Sequence, residues 1–422
     1  MIQSAAPLHV AVIGAGAYGL AAALHLLRDG CRVTLIDPAG PGDPRQAAYG
    51  NAGILARAGV APNATPGLPP KLPRMLLDPD GPVSLRWAHL PRALPWLARF
   101  FAAARESEVR RISAALATLV GDAVEAHEAL AAGTPAARLI RRGHYLLLYP
   151  DREAFLADRF GFALRKAQGF EWEERDRERL LQDDPHLGEA YGFAAALDGH
   201  GWILDPGGYA AALAEAFARA GGVFRRAEAR DVRPTEAGVE IALGEETLAA
   251  DRAVIACGAW SAALAERLGA RVMLESERGY HLTLEGANRT PPFPCMMSDR
   301  KIAATPMEID GRPALRLAGL VEIGGLEAGP SAGPLRLIQR SARRLYPGLG
   351  WAKAEPWMGH RPSTPDSLPY LCRAPASERI VLAFGGQHLG LTTGPKAGRV
   401  AADLALDRKP NVPLAAFGLD RF

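Results

Sequence analysis

Residues 8–37 read LHVAVIGAGAYGLAAALHLLRDGCRVTLID, and this stretch decides the fold. A short β-branched run from Leu8 to Ile13 precedes a glycine-rich turn, and an Ala/Leu-rich stretch from Leu20 to Arg28 follows it. Gly30 suits the C-terminal cap of a helix, and a second β-branched run then ends at Asp37. The order of these segments predicts a βαβ unit with a tight turn between its first strand and its helix.

The turn has the spacing Gly14-x-Gly16-x-x-Gly19, which is typical of dinucleotide sites when it lies between a strand and a helix. The first glycine permits the turn, the second lets a pyrophosphate approach the backbone, and the third lets helix and strand pack closely. The free amide groups at the start of the helix stabilise the diphosphate without a basic side chain. Asp37 ends the second strand, where a carboxylate accepts hydrogen bonds from the adenosine ribose and disfavours NADP. The motif predicts FAD or NAD and does not distinguish them.

The size and composition of the chain favour a two-domain protein that binds small molecules. Its 422 residues exceed the about 250–300 at which one hydrophobic core usually stops growing. The net charge is +3, from 49 basic and 46 acidic residues, so no strong field indicates nucleic acid or an anionic membrane as a partner. The four cysteines form no C-x-x-C pair, so we predict neither a metal site nor a disulfide framework.

The N-terminal residues give no sign of export. The stretch Met1–His9 lacks the basic region and the small-residue cleavage site of a secretory signal. The apolar run from Val10 to Leu27 is interrupted by three glycines and His25, whereas a membrane-spanning helix needs about 20 mainly apolar residues. We therefore expect a cytoplasmic protein without a transmembrane segment. Loose attachment to an inner membrane that houses quinones stays open.

Five segments beyond the first motif are also distinctive. They are Tyr49-Gly-Asn-Ala-Gly53, Asp205-Pro-Gly207, Cys257-Gly-Ala-Trp-Ser261, Trp357-Met-Gly-His-Arg-Pro-Ser-Thr-Pro-Asp366 and Gly385-Gly-Gln-His-Leu-Gly-Leu-Thr392. Together they resemble the D-amino-acid oxidase and dehydrogenase superfamily, which also contains glycine oxidase and sarcosine oxidase, and the likeness is greatest to bacterial D-amino-acid dehydrogenases. The last two segments are the most specific, and the resemblance spans nearly the whole chain.

The resemblance and the strand patterns predict an α/β protein, α+β overall. A Rossmann-type FAD-binding domain is expected to be interleaved with a substrate-binding domain built on a mixed, largely antiparallel sheet, with long antiparallel strands within residues 273–323. The predicted FAD-binding domain comprises residues 1–85, 203–270 and 355–422, and the predicted substrate-binding domain comprises residues 86–202 and 271–354.

Two elements near the expected cofactor are predicted individually. The pattern indicates a strand over Val223–Val232. The last helix is expected to run from about Pro395 to Leu406, with Thr393 or Gly394 as its cap, because proline suits the first position of a helix. The positive end of this helix would stabilise the anionic reduced flavin at its N1 and O2 edge.

The resemblance implies FAD as the cofactor, bound noncovalently. The sarcosine oxidase branch attaches its flavin through a cysteine, whereas the nearest cysteine here, Cys372, is displaced from the expected region. The predicted cofactor-binding residues, taken from the motif and the resemblance together, are Gly14, Gly16, Tyr18, Gly19, Asp37, Asn51, Ala52, Gly53, Val232, Cys257, Gly258, Trp260, Gly359, Gly386, His388, Leu389, Gly390, Leu391 and Thr392.

Three residues form the predicted catalytic group, beginning with Arg361. In the family the arginine of this motif holds the substrate carboxylate, and a guanidinium does so bidentately while staying charged. Tyr280 and His281 are neighbours on a strand, so only one should face the pocket, and Tyr280 is our choice. His388 is expected to line the pocket, and Glu322 is left out because surface glutamates are commoner. The competing interpretations are a surface ion pair for Arg361, core packing for Tyr280 and a cofactor-only contact for His388.

The predicted function is FAD-dependent oxidative deamination of a D-amino acid, with D-proline and hydroxyproline types included. Hydride leaves the α-carbon for flavin N5, and a quinone, an electron-transfer partner or O2 is the expected final acceptor. One alternative is a glycine or sarcosine type of oxidase that uses O2. Another is a flavin-binding subunit that relays electrons without an amino-acid site, and an NAD-dependent dehydrogenase is the third.

Overall fold

The computed structural model describes residues 6–68, 75, 78 and 81–422. The strands are β1 (His9–Ile13), β2 (Arg32–Asp37), β3 (Ile54–Leu55), β4 (Val83–Leu85), β5 (Ile140–Tyr149), β6 (Trp172–Asp176), β7 (Phe193–Ile203), β8 (Val223–Arg226), β9 (Asp231–Pro234), β10 (Val239–Leu243), β11 (Glu246–Ala250), β12 (Arg252–Ile255), β13 (Glu275–Glu285), β14 (Cys295–Met297), β15 (Ile302–Ile309), β16 (Arg312–Ile323), β17 (Lys353–Ser363), β18 (Tyr370–Ala374) and β19 (Ser377–Phe384).

The α-helices are α1 (Ala17–Arg28), α2 (Leu90–Ala103), α3 (Glu106–Val120), α4 (Ala123–Ala131), α5 (Arg152–Ala157), α6 (Arg159–Ala167), α7 (Arg177–Asp183), α8 (Pro206–Arg219), α9 (Ser261–Arg267), α10 (Ala332–Leu345) and α11 (Gly390–Ala405). Within the described part of the chain, no helix combines the length and the apolar character that crossing a membrane requires.

The N-terminal βαβ unit lies in a sheet with the strand order β18-β19-β12-β1-β2-β8. The strands from β19 to β8 are parallel, and β18 is antiparallel at the edge. All five residues of β1 are buried, because α1 and α11 cover one face of the sheet, and β9, β10 and α9 cover the other. Gly398 of α11 lets that helix approach α1, since a Cβ there would lie 2.5 Å from the Cβ of Ala21. The predicted Rossmann-type unit is confirmed.

A second, larger sheet has the order β17-β13-β16-β15-β14-β5-β7-β3, with β4 beside β16 and β6 beside β7. Most pairs are antiparallel, and the pairs β14 with β5 and β16 with β4 are parallel. A third, three-stranded antiparallel sheet has the order β11-β10-β9. The predicted fold class, with a mixed and largely antiparallel second sheet, is therefore confirmed.

The larger sheet includes strands that the predicted boundaries assign to the other domain. β3 and β4 lie within the segment 1–85, and most of β17 lies within the segment 355–422, yet all three hydrogen-bond in the larger sheet. β17 pairs with β13 along its full length, from Lys353 opposite Glu285 to Ser363 opposite Glu275. The chain therefore returns to the first sheet only at β18, because the edge of the larger sheet needs β17 to satisfy the backbone groups of β13.

Two predicted elements differ from the observed ones. The strand expected over Val223–Val232 is broken into β8 and β9, which belong to different sheets. The last helix begins at Gly390, five positions before the expected start at Pro395, which lies inside it. Proline cannot donate to the carbonyl four residues earlier. That carbonyl, on Leu391, instead accepts a hydrogen bond of 2.9 Å from Nε2 of His127, so the helix continues through the proline.

Candidate active site

A cavity of about 1930 Å³ is lined by residues of both large sheets. It begins at the carboxyl ends of the parallel strands, where Ile13, Asp37, Ala256 and Phe384 reach its wall. This is the position where ligands bind in open α/β sheets. Pockets for small ligands usually measure about 300–1,000 Å³, so this cavity has room for a dinucleotide together with a second, smaller molecule.

The first motif forms one end of the cavity. Gly14 has φ 102°, and a Cβ there would lie 2.4 Å from the carbonyl oxygen of Ala256, so only glycine fits. A Cβ on Gly16 would meet no atom within 4 Å, which leaves open space before the N-terminus of α1. Both carboxylate oxygens of Asp37 accept backbone bonds, from Ala15 N at 2.8 Å and Ala39 N at 2.7 Å. Burial raises the pKa of Asp37, and these amide donors oppose the rise.

The segment between β8 and β9 forms the wall next to Asp37. Residues 227–230 line the cavity there, while Val232 is buried in the core around the three-stranded sheet and does not line it. Val232 is therefore not a cavity residue, because the break after β8 brings the preceding residues to the cavity instead. The turn after β12 lies opposite. Gly258 has φ 58° with open space before it, and Cys257 Sγ donates to Ile13 O at 3.3 Å.

The loop at residues 385–389 and the segment at residues 50–56 form the middle of the cavity. Asn51 Nδ2 donates to the carbonyl of His388 at 3.3 Å, which ties the two segments together. Tyr18 Oη and Thr393 Oγ1 share a hydrogen bond of 2.7 Å, and a Cβ on Gly386 would lie 2.6 Å from that tyrosine oxygen. These contacts place the start of α11 against the start of α1, so that two glycine-lined helix ends face one cavity.

Arg361 lines the cavity on the side of the larger sheet. Its guanidinium crosses Gly279 of β13 and donates to the carbonyls of Leu320 at 2.7 Å and Gly319 at 3.2 Å. Burial lowers the pKa of Arg361 and nearby Glu277 opposes this, but an arginine stays cationic at neutral pH. The cavity therefore contains a positive charge that backbone carbonyls hold in place.

Tyr280 does not line the cavity, and its predicted role is corrected. Its side chain is buried on the other face of β13, where its hydroxyl donates to Glu322 Oε2 at 2.5 Å and accepts from Ser331 N at 3.0 Å. Glu322 is itself buried and pairs with Arg278 at 3.1 Å, so it is no surface residue. His281 points to the opposite face, toward the segment at residues 50–56, and its Nδ1 lies 3.0 Å from the carbonyl oxygen of Gly50. Alternation along the strand predicted that one of the two would reach the pocket. Neither lines the cavity, but His281 lies on the same face of β13 as Glu277, which does.

His388 lines the cavity as predicted, and its side chain is exposed to that space. Burial of the surrounding region, together with the charge of Arg361, lowers the pKa of His388 to about 4. The imidazole is therefore neutral at pH 7 and adds no second positive charge beside Arg361.

Three predicted cofactor-binding glycines lie outside the cavity lining and act through packing. A Cβ on Gly19 would lie 1.8 Å from Gly14 O, and a Cβ on Gly53 would lie 2.6 Å from Ile203 O. A Cβ on Gly359 would collide with the ring of Trp357 at 2.1 Å. The other predicted cofactor-binding residues that line the cavity are Gly14, Gly16, Tyr18, Asp37, Asn51, Ala52, Cys257, Gly258, Trp260, Gly386, His388, Leu389, Gly390, Leu391 and Thr392.

Several cavity residues were not predicted from the sequence. Glu277 and Asn63 line the cavity beside Arg361, and Leu97 and Phe101 of α2 form an apolar wall. The signal for Glu277 was present, because residues 277, 279 and 281 share one face of β13. Asn63 and α2 carried no motif that would have placed them at the site.

FAD fits this cavity. Open space lies before Gly16, Gly258 and Gly390, which lets phosphate or ring atoms approach the backbone. The N-terminus of α1 offers amide donors for a pyrophosphate, and Asp37 stands at the end of β2 for the ribose. Of the four cysteines, Cys257 lines the cavity, whereas Cys372 lies on β18 outside it. The fold and the site thus define a mixed α/β protein built around a dinucleotide.

Comparisons with known proteins identify the dinucleotide. The model of the DAO family, described as FAD dependent oxidoreductase, matches residues 9–404. A D-amino-acid oxidase of Bradyrhizobium diazoefficiens is 39% identical over 98% of this chain and 99% of its own length. A D-amino acid dehydrogenase of Methylobacterium nodulans is 31% identical over 96% of this chain and 97% of its own.

A solved structure agrees on the fold. Glycine oxidase from Geobacillus kaustophilus superposes with a TM-score of 0.71 over 98% of both chains, at 23% sequence identity. The chain belongs to the DAO family of FAD-dependent oxidoreductases. It is an enzyme, and its cofactor is FAD, as the sequence predicts.

Proposed function

We propose that this flavoprotein oxidises a D-amino acid at its α-carbon, giving an imine that water hydrolyses to a 2-oxo acid and ammonia. The names of the two relatives, a D-amino-acid oxidase and a D-amino acid dehydrogenase, support an amino acid of D configuration. FAD, when bound, supplies the acceptor for the hydride that leaves the α-carbon. The remaining chemistry is positioning by the protein.

The observation that carries the proposal is the position of Arg361. Its guanidinium is fixed by two backbone carbonyls of β16 and lines the same cavity as the loop at residues 385–389. A guanidinium binds a carboxylate through charge-assisted hydrogen bonds. We infer that Arg361 holds the substrate carboxylate and so directs the α-hydrogen toward the flavin. The apolar wall of Leu97 and Phe101 would keep water from the reacting carbon.

We infer that FAD is bound noncovalently. The residues that would hold it are the cavity-lining members of the predicted set, with Gly14 and Gly16 at the pyrophosphate, Asp37 at the ribose and residues 227–230 at the adenine. Cys257 lies at the dinucleotide end, and burial raises the pKa of its thiol to about 12, so it is no nucleophile at neutral pH. The final electron acceptor is a quinone, an electron-transfer partner or O2.

Anaerobic mixing of the purified protein with D- and L-amino acids, followed by flavin absorbance, tests the proposal. We expect D-amino acids to bleach the flavin and L-enantiomers to leave it oxidised. In Arg361→Lys we expect weaker substrate binding with full FAD content, because lysine keeps the positive charge but lacks the two parallel N–H donors that bind a carboxylate. Bleaching by L-enantiomers alone would contradict the stereochemical assignment. Peroxide formed from glycine or sarcosine in air would indicate the oxidase alternative.

A further inference from the structure

Glu277 lies beside Arg361 in the cavity. The two residues are direct cross-strand partners, Glu277 on β13 and Arg361 on β17. Directly opposed residues point to the same face of a sheet, with Cβ atoms about 4.5–5.5 Å apart. Both side chains line the cavity. The carboxylate of Glu277 and the guanidinium of Arg361 therefore lie side by side on the cavity wall near the loop at residues 385–389.

The carboxylate of Glu277 has few partners. It is 4% exposed, Asn63 Nδ2 donates to it at 3.4 Å, and the buried hydroxyl of Ser363 lies close enough to lower its pKa. The guanidinium of Arg361 donates to the carbonyls of Gly319 and Leu320, and the two charged groups form no ion pair within 4.0 Å in the described part of the chain. Burying a carboxylate whose partners are a neutral amide at 3.4 Å and a hydroxyl, without an ion pair, is costly. This points to a cationic partner that arrives with the substrate.

The arrangement is complementary to an α-amino acid, which carries a carboxylate and an ammonium on one carbon. We propose that Glu277 binds the substrate ammonium beside Arg361 and accepts one of its protons, so that the amine is neutral when the hydride leaves. This inference rests on the proposed function, because it needs an amino acid held by Arg361. It makes Glu277 a catalytic residue of this enzyme.

The proton and electrons balance in two steps. First, an N–H bond of the ammonium breaks and an O–H bond forms on Glu277, with no change of oxidation state. Then the α C–H bond breaks, its electron pair leaves with the hydrogen to FAD, and the nitrogen lone pair completes the C=N bond. The substrate loses two electrons and FAD gains them. The proton on Glu277 leaves to water when the product departs.

Other titratable groups near Glu277 fit this role less well. His388, on the loop before α11, has a pKa of about 4 and is a poor proton acceptor at neutral pH. Glu275, on the same strand, is held by His89 Nε2 at 3.1 Å and does not line the cavity. Arg361, on β17, is the cation that faces Glu277. Burial raises the pKa of Glu277, the charge of Arg361 and hydrogen bonds from Ser363 and Asn63 oppose the rise, and Glu275 adds to it.

The proposal predicts how the rate of flavin reduction depends on pH. A protonated Glu277 cannot accept a proton, so the rate of flavin reduction should fall as pH falls through the pKa of Glu277 and stay level above it. Without this carboxylate, the amine must lose its proton to water. The rate in Glu277→Gln should then rise with pH until the pKa of the substrate amino group is reached.

The experiment compares wild type, Glu277→Gln, Glu277→Asp and the control Glu275→Gln as FAD-loaded proteins. Anaerobic reduction by the best D-amino acid is measured between pH 6 and 10, and propionate binding is followed by its perturbation of flavin absorbance. We expect Glu277→Gln to reduce its flavin about 100-fold more slowly at pH 7 and to recover at high pH. Propionate affinity should be retained, because propionate has no amino group. Glu277→Asp and Glu275→Gln should keep the level profile of the wild type.

Three outcomes would overturn the inference. A Glu277→Gln protein with the rate and pH profile of the wild type would show that the carboxylate takes no proton. Loss of propionate binding in Glu277→Gln would indicate that Glu277 only shapes the wall around Arg361. A wild type that no amino acid bleaches would overturn the proposed function itself, and with it this inference. In the first two cases the proposed function stands, because the wild-type flavin is bleached.

Discussion

The absence of a side chain at Gly279 lets Arg361 lie across strand β13. A Cβ at this position would stand 2.4 Å from both Cζ and Nη2 of the guanidinium. The arginine therefore reaches the carbonyls of β16 by passing over the one residue type that leaves room for it. The orientation of the proposed carboxylate anchor depends on a glycine that does not itself line the cavity.

Gly279→Ala should therefore act like a change at Arg361. The added methyl group displaces the guanidinium, so we expect propionate and the amino-acid substrate to bind about 10- to 100-fold more weakly, with unchanged FAD content. Titration of flavin absorbance with propionate measures this. Gly333→Ala in α10 is the matched control, since a Cβ there meets no atom within 4 Å. Equal affinities in the two variants would contradict the role of Gly279.

For single residues, the sequence predicted the chemical role of a side chain better than the face of the strand on which the side chain lies. Arg361 could be predicted to line the cavity because it belongs to a distinctive sequence motif. Tyr280 could not be separated from His281, because alternation gives two opposite faces and only the assembled sheet determines which one α10 covers. Glu277 was missed for the same reason, since its face follows from that of His281.

Helix α11 shows how a distant residue decides an element's boundary. Pro395 leaves the carbonyl of Leu391 without its helical donor, and His127 of α4 supplies a replacement. The other ring nitrogen, Nδ1, shares a hydrogen bond of 2.9 Å with Tyr209 Oη. The local sequence predicts a helix start at the proline. The prediction fails because the donor that compensates for the proline is far away in the chain and carries no motif.

Removing this donor should loosen the first turns of α11. We expect His127→Ala to lower the free energy of unfolding by about 1–3 kcal/mol, because the buried carbonyl of Leu391 loses its partner. FAD should also dissociate more readily, since residues 390–392 at the start of this helix line the cavity. Urea unfolding and FAD release on dilution measure the two effects. A fully stable variant that retains FAD would show that water or a relaxed backbone replaces the histidine.

At the scale of the whole molecule, buried histidines connect stability to pH. Burial lowers the pKa of His25, His127 and His200 to about 4 each, whereas an unfolded histidine titrates near about 6.5. The folded protein thus holds these rings neutral, and the unfolded chain binds protons first as pH falls. Their contribution to stability is complete above about pH 6.5 and is lost progressively toward pH 4.

The urea midpoint of the FAD-loaded protein should therefore be lower at pH 5 than at pH 8. Between the two pKa values each histidine contributes a slope of about 1.4 kcal/mol per pH unit. His200→Gln should lower the slope of stability against pH by the contribution of one histidine, because glutamine does not titrate. The variant should still fold, because Ala58 N can donate to the new side chain. An equal midpoint at both pH values would contradict the assignment of neutral buried rings.

The two large sheets were predictable because their signals are local. The βαβ unit follows from consecutive residues, and the strands of the larger sheet show their own periodicity. The domain boundaries were harder, since β3, β4 and β17 join the larger sheet through pairing with strands far away in the chain. Pairing across such distances depends on tertiary packing and leaves no pattern within a single segment.

A crystal structure of the FAD-loaded protein with propionate would show whether Arg361 binds a carboxylate beside the flavin. We predict that the flavin ring lies beside the loop at residues 385–389 and that the carboxylate lies within hydrogen-bond distance, about 2.7–3.2 Å, of the Arg361 guanidinium. A flavin bound elsewhere, or a carboxylate held by other residues while Arg361 keeps only its bonds to Gly319 and Leu320, would contradict this prediction.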